Sequence, residues 1–339
     1  MKQDALVLVS GGTGFLGAYV LRQLLRAGWR VRAMRRENSP MDLVADIADQ
    51  VEWVIADVTD IPALEAAFEG VTHVCHCAAK VSFHPRDVRR MRQVNIEGTA
   101  NMANLAMDFG VKKFVHVSSI AALGRSKERL ELHENLKWVE SPDTSQYALS
   151  KYQSELEVWR AHAEGLPVAI VNPAIILGSG FWNDGSAKFF KQINDGLKFS
   201  PTGRSGFVDV RDVARFMVLL LDSDISGERY VLCGANVLYR DFFKQIAANL
   251  GKKAPPITVT PLLAEVAWRV EWLKEKILGI DPIVTRESAR ASVSQYTYLN
   301  DKSRSVFNFE YLPFEQTIRE TAEQFKACLA SGEKAAVLS

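Results

Sequence analysis

The stretch Ser10-Gly11-Gly12-Thr13-Gly14-Phe15-Leu16-Gly17 decides how the rest of the chain is read. It follows the apolar run Ala5-Leu6-Val7-Leu8-Val9. It opens a segment in which Phe15, Leu16, Val20, Leu21, Leu24 and Leu25 recur at helical spacing. A buried strand turning through glycines into a helix is the layout of a dinucleotide-binding loop. Gly11 permits the tight turn, Gly14 lets the backbone approach a pyrophosphate, and Gly17 lets the helix pack closely. The free N–H groups of the first helical turn then face the phosphates. Gly11, Thr13, Gly14, Phe15, Leu16 and Gly17 are the expected contacts. The glycine spacing is G-x-x-G-x-x-G rather than G-x-G-x-x-G, a variant that the rest of the sequence has to explain.

The chain has 339 residues, 47% hydrophobic and 24% charged, with a formal net charge of +1. That balance describes an ordinary soluble globular protein and gives no global pull toward nucleic acid or an anionic membrane. Four cysteines in a chain this long make no disulfide framework, and reduced thiols point to a cytoplasmic setting. Cys75, His76 and Cys77 alternate in an apolar run, which reads as a strand with packed thiols; no second ligand pair lies nearby, so no metal is expected. The N-terminus carries Asp4 and enters a strand at once, which predicts no signal peptide. The longest apolar runs, such as Phe216–Leu221, are too short to cross a bilayer.

Strand-like and helix-like segments alternate through the first half. Strands are expected at 29–34, 51–56, 71–77, 113–118 and 168–171, and helices at 62–68, 86–109 and 146–164. This pattern predicts an α/β fold with a Rossmann-type, doubly wound parallel sheet. Residues 1–172 form the dinucleotide-binding domain, with 207–234 returning to it. Residues 173–206 and 235–330 make a smaller, mainly helical, substrate-binding part over the sheet's C-terminal edge, and 331–339 are a polar tail.

The residues after the second strand choose the nucleotide. Arg35-Arg36 stand where an acidic residue would otherwise accept the adenosine ribose hydroxyls, and arginine's planar donor fork suits a 2′-phosphate. NADP is therefore favoured over NAD. Asp57 and Val58 follow the third strand, near the adenine edge, and Ala78-Ala79-Lys80 follow the fourth, where small side chains leave room for a flat cofactor.

Tyr147-Ala148-Leu149-Ser150-Lys151 carries the chemistry. At i and i+4 on a helix, Tyr147 and Lys151 face one side. A phenol has a reference pKa of about 10, and a neighbouring ammonium favours its phenolate. Such a tyrosine can pass a proton to or from a carbonyl or alcohol while hydride moves on the cofactor.

With these residues in view, the chain resembles the extended branch of the short-chain dehydrogenase/reductase superfamily. The likeness rests on the glycine loop, Asp57-Val58, Ala78-Ala79, Asn95 in Val-Asn-Ile-Glu-Gly-Thr, Ser118-Ser119, and Tyr147 with Lys151. It continues through Asn172-Pro173, Val208–Asp212, Asp301–Arg304 and Pro313–Thr317, and the odd glycine spacing is the one this family uses. The resemblance implies that Ser119, five residues before Gly124, donates a hydrogen bond to the substrate oxygen. It makes Tyr147 the acid/base and gives Lys151 the ribose hydroxyls and the tuning of Tyr147. Asn95 belongs to the same hydrogen-bond network, Ser118 to the cofactor wall, and Pro173 and Ile176 to the nicotinamide-facing turn. A homodimer paired through the helices at 86–109 and 146–164 is implied in the same way.

Three function classes follow. Like dihydroflavonol 4-reductases and 3β-hydroxysteroid dehydrogenases, the chain reads as an NAD(P)-dependent oxidoreductase for a carbonyl or alcohol of an apolar or aromatic small molecule. Phe83, Trp138, Phe181 and Trp182 would border the pocket, although several aromatics in these segments also suit a packed core. A nucleotide-sugar epimerase is the runner-up, with Arg204 one residue early for holding a diphosphate. Ile120-Ala121 stand where dehydratases of this family carry Thr-Asp/Glu, which argues against dehydration. A non-catalytic NADP-binding sensor is the third class. The basic run Arg86, Arg89, Arg90 and Arg92 is either a solvated helix face or an attractor for an anionic substrate.

Overall fold

The computed structural model describes residues 5–124, 130–139, 144–278 and 285–338. Seven strands make the central sheet: β1 (Leu6–Ser10), β2 (Arg30–Arg35), β3 (Glu52–Ile55), β4 (His73–His76), β5 (Lys113–Val117), β6 (Val168–Pro173) and β7 (Glu228–Leu232). Their spatial order is β7-β6-β5-β4-β1-β2-β3, and each neighbouring pair is parallel. The doubly wound fold expected from the alternating pattern is thus the one observed.

Both faces of the sheet are covered, so its central strands are apolar at successive positions instead of alternating with polar ones. In β1, Val7 and Val9 enter the core on one face, while Leu6 and Leu8 enter the core on the other. The same split holds in β6, with Ala169 and Val171 on one side and Val168 and Ile170 on the other. Helices α1 (Phe15–Arg26) and α5 (Val210–Leu221) supply Leu21, Leu24, Val213 and Phe216 to the first core. Helices α2 (Ile61–Phe68), α3 (Gly98–Asp108) and α4 (Gln146–Ala163) supply Leu64, Met102 and Val158 to the second.

Strand order reverses between β1 and β4, so the loops leaving these strands diverge and open a crevice at the carboxyl edge. The smaller part lies beyond that edge. It has a three-stranded sheet of Ile175–Leu177, Arg204–Asp209 and Ala235–Leu238, and helices at Lys188–Asn194, Tyr239–Leu250 and Phe314–Ser331. Trp182, Phe190, Phe207, Phe242, Phe243 and Phe325 form its core.

Several elements differ from the sequence reading. The helix expected over 86–109 is interrupted by a π turn at Gln93–Glu97, centred on Asn95. Residues after 235 do not all stay in the smaller part: Tyr298 and Phe309 are buried in the core of the main sheet. The tail after Ser331 is docked, not a free polar extension. Phe181 bridges Ala335, Trp182 N–H donates to the Lys334 carbonyl, and Leu338 N–H donates to the Tyr19 hydroxyl at 2.8 Å. Its Ala-Ala-Val-Leu segment carries enough apolar surface to close that edge.

Candidate active site

The glycine loop is shaped by contacts that no side chain could share. Gly11 has φ +69°, and a Cβ there would lie 3.0 Å from the Ala78 backbone. A Cβ on Gly17 would sit 2.1 Å from the Gly11 carbonyl oxygen. Gly14 caps α1 with no side-chain hydrogen bond, and the first turn holds no acidic residue. The first-turn N–H groups therefore have no carboxylate of their own turn beside them, which fits a pyrophosphate. Thr13 is buried, and Phe15 packs beneath Gly180 of the smaller part.

Arg35 ends β2 and gives one N–H to the Glu37 carbonyl at 3.0 Å. Neither Arg35 nor Arg36 pairs with a carboxylate among the described residues. Asp57 accepts from the Thr59 N–H and hydroxyl at 3.0 and 2.7 Å, and from Arg90 at 2.9 Å. Burial works to raise the Asp57 pKa, but the Thr59 bonds and the charges of Arg90 and Arg36 hold it below the ordinary carboxylate value. Val58 packs against Gly98, where a Cβ would approach it to 2.5 Å. At the end of β5, the buried Ser118 hydroxyl has no hydrogen-bond partner among the described residues. An orphaned hydroxyl, open helical N–H groups and glycine cradles together fit a dinucleotide laid across β1, β4 and β5.

Asn95 ties this crevice to α4. Its side-chain oxygen accepts from the Lys80 N–H at 2.8 Å, and its amide donates to the Lys80 carbonyl and the Ser150 hydroxyl, both at 3.0 Å. Ser150 in turn donates to the Tyr147 carbonyl at 2.8 Å. The π turn is what aims the asparagine inward, a common use of such turns. Tyr147 lies in the first turn of α4, half-buried, with the Phe83 ring edge-on at 5.8 Å.

One helical turn further, Lys151 is 2% exposed and donates to the Val117 carbonyl at 2.8 Å. Burial lowers its pKa to about 8, opposed by Glu155 and Cys77. Ser119 caps the turn Ile120–Leu123, its oxygen accepting from the Ala121 N–H at 3.1 Å, which leaves its own proton free for a ligand. Ile120 and Ala121 behind it are buried.

Behind Ser119 lies a polar network that sequence reading missed. The Asn172 amide donates to both the Ser119 carbonyl and Glu155, and Arg229 pairs with Glu155 at 3.0 Å. Arg229 also donates to the Glu134 and Leu136 carbonyls, anchoring the segment that bears Trp138. Glu155 is 1% exposed, so Arg229 is what makes its charge tolerable there. Its position four residues after Lys151, on the same helix face, was the available signal. Two further carboxylates come from the smaller part: Glu275 meets Arg86 at 3.4 Å, and Glu287 accepts from the Gln146 N–H at the start of α4. Arg86 and Arg90 of the basic run are thus both committed to carboxylates.

The four aromatic residues expected at the substrate pocket fall in different places. Phe83 is exposed beside Tyr147. Trp138 stacks on Tyr152 at 4.2 Å, and Phe181 is half-buried where the tail bridges it. Trp182 is 4% exposed and packs edge-on to Phe325 in the core of the smaller part. Pro173 ends β6 in the sheet core, and Ile176 is half-buried just beyond it.

A profile of the NAD dependent epimerase/dehydratase family matches residues 7–233, which run from β1 through β7. The chain belongs to that family. Among curated relatives, it is 32% identical over 264 residues to "Sterol demethylase protein B" of Methylococcus capsulatus, covering 76% of this chain and 78% of that protein. It is 27% identical over 337 residues to a "Putative dihydroflavonol 4-reductase" of Synechocystis, covering 94% of each. Among solved structures, that of gox2253 superposes with a TM-score of 0.82 at 29% identity, covering 97% of this chain and 99% of that one. The extended short-chain dehydrogenase/reductase reading therefore holds, and this family member is an NAD(P)-dependent enzyme of the oxidoreductase or epimerase type. Among the described residues no helix is long and apolar enough to cross a membrane.

Proposed function

We propose that the chain is an NADP(H)-dependent carbonyl reductase, or alcohol dehydrogenase in reverse, for an apolar or aromatic small molecule. The observation that carries this reading is a buried ammonium one helical turn from an accessible phenol. Among the described residues, only one of the three Lys151 donors is committed, to the Val117 carbonyl. The others remain for the hydroxyls of a ribose, while the charge favours the Tyr147 phenolate.

A nicotinamide bound in the crevice would supply or accept the hydride. The chain's own residues handle the rest. Ser119 donates a hydrogen bond to the carbonyl oxygen and holds it against Tyr147. As hydride reaches the carbonyl carbon, Tyr147 gives its proton to that oxygen, so that C=O becomes CH–OH. Asn95 keeps the Lys80 loop and the Ser150 turn at fixed spacing beneath these groups. Arg35 and Arg36, neither in a salt bridge among the described residues, support a 2′-phosphate and hence NADP.

Phe83 beside Tyr147 supports an apolar or aromatic substrate. So do the names of two relatives, one a dihydroflavonol reductase and one a sterol demethylase protein. A homodimer built through the helices at 86–109 and 146–164 is part of the proposal, and light scattering of the purified chain tests it. The reaction is tested by titrating NADPH and NADH against protein fluorescence, then following NADPH oxidation with a panel of aromatic, prenylated and steroidal ketones and aldehydes. Oxidation with at least one member is expected. NADPH binding with no turnover on that panel or on UDP-sugars would replace this reading with a sensor, and turnover confined to UDP-sugars would replace it with an epimerase.

A further inference from the structure

His76, the last residue of β4, is fully buried and takes no part in the proposed chemistry, yet both its nitrogens are engaged. It lies opposite Ser10 in the β1–β4 register, so it meets the residue that opens the glycine loop. The Ser10 oxygen accepts from the Cys77 and Ala78 N–H groups, both at 3.1 Å. With both lone pairs used, its proton goes to His76 Nδ1, 2.7 Å away. On the other side, the Thr99 hydroxyl donates to the Asn95 carbonyl at 2.6 Å. Its oxygen is therefore the acceptor for His76 Nε2–H at 3.0 Å.

One tautomer satisfies every group: Nδ1 bare, Nε2 protonated. Burial, reinforced by the charge of Lys151, lowers the His76 pKa to about 3, so this neutral tautomer persists across the working range. The hydrogen bonds then run one way, from the Ala78 turn through Ser10, His76 and Thr99 to the π turn that aims Asn95. The Ala78 backbone is also what a Cβ on Gly11 would strike. Ser10, His76, Thr99 and Asn95 are each no more than 1% exposed.

We propose that His76 is a positioning residue that sets the dinucleotide loop in register with the asparagine clamp on the catalytic helix. This rests on the reductase reading for its catalytic half only. The cofactor half concerns the loop alone.

The two halves are separable in the full chain. His76→Asn leaves an amide oxygen near the Nδ1 position, keeping the acceptor for Ser10 and losing the donor to Thr99. His76→Gln reaches far enough to give an N–H to Thr99 and loses the acceptor for Ser10. In an NADPH fluorescence titration, His76→Asn is expected to bind within about twofold of the unmodified chain and His76→Gln about tenfold more weakly, the scale of one unsatisfied buried partner. At saturating NADPH, with a carbonyl compound that the unmodified chain reduces, kcat is expected to fall about tenfold in His76→Asn and less than about threefold in His76→Gln. A role in packing alone would lower the melting temperature of both variants without this crossed pattern. Unchanged Kd in both variants, or parallel losses of Kd and kcat in both, would overturn the assignment. If the unmodified chain reduces no carbonyl compound, the reaction proposed above fails, and the difference in Kd between the two variants still decides the role of His76.

Discussion

Replacing Lys151 by methionine separates the part the buried ammonium takes in the proposed reaction from what it costs the fold. Burial lowers its pKa from an ordinary 10.5 to about 8, with Glu155 and Cys77 opposing the shift. A lowered lysine pKa means that the charged form is less favourable in the folded chain than in the unfolded one. Below the folded value both states hold the proton, and the folded chain bears the full cost. Between the two values the unfolded chain keeps a proton that the folded chain has lost, so the cost shrinks as pH rises, and above 10.5 it is gone. The interval corresponds to about 3 kcal/mol near pH 6.5 and about 1.5 kcal/mol near pH 9.5. Methionine nearly matches the side chain's volume and forfeits the bond to the Val117 carbonyl, worth about 1 kcal/mol. Glu155 keeps Arg229 and Asn172 as partners. Lys151→Met is therefore expected to be more stable by about 2 kcal/mol near neutral pH, with the gain nearly gone near pH 9.5, while kcat falls at least about a hundredfold. Urea unfolding of both chains at the two pH values measures the first, and carbonyl-dependent NADPH oxidation the second. A variant less stable near neutral pH, or one whose stability difference ignores pH, would refute the view that desolvation dominates at this site.

The other expectations test neighbouring parts of the site. Tyr147→Phe should abolish turnover while NADPH affinity stays within about twofold, because in the proposed reaction the hydroxyl carries the proton and the ring is kept; near-normal turnover would remove Tyr147 from the mechanism. Replacing Arg35 and Arg36 by alanine should weaken NADPH binding about tenfold or more and leave NADH binding nearly unchanged, which titration of both cofactors checks. Glu155→Gln removes the main charge that raises the Lys151 pKa, so the high-pH fall in kcat should move to lower pH; a pH–rate profile that does not move would show that Glu155 and Lys151 are uncoupled. Gly17→Ala places a Cβ 2.1 Å from the Gly11 carbonyl, so cofactor binding should be lost, as calorimetric titration would show.

The parts of this protein legible in the sequence are those built from short-range patterns. Two buried sheet faces require continuous apolar strands, and these stand out at 5–9 and 168–171. The glycine loop is local as well, since its spacing, the strand before it and the helix after it lie within one stretch. Tyr147 and Lys151 could be paired because a helix puts residues four apart on one face. Glu155 could have been reached by the same step, one turn further on.

What the sequence by itself determined is therefore the doubly wound sheet, the place of the glycine loop, and the helix face that carries the proposed acid/base pair. Only the tertiary structure decided which partners those residues keep. Ser10, His76 and the Asn95–Thr99 helical run come from three separate segments, and the bond between Ser10 and His76 depends on the β1–β4 register. Arg229 reaches Glu155 across 74 residues because β7 lies beside β6. Trp182, read as a pocket wall or a core residue, is buried against Phe325 of the last helix. The tail at 331–338 closes over Tyr19 of the first helix. The physical reason is one of range. Backbone propensity and side-chain period act over a few residues and are written into the sequence, whereas the satisfaction of a buried polar group is settled by whichever chain segment the fold brings within hydrogen-bond distance.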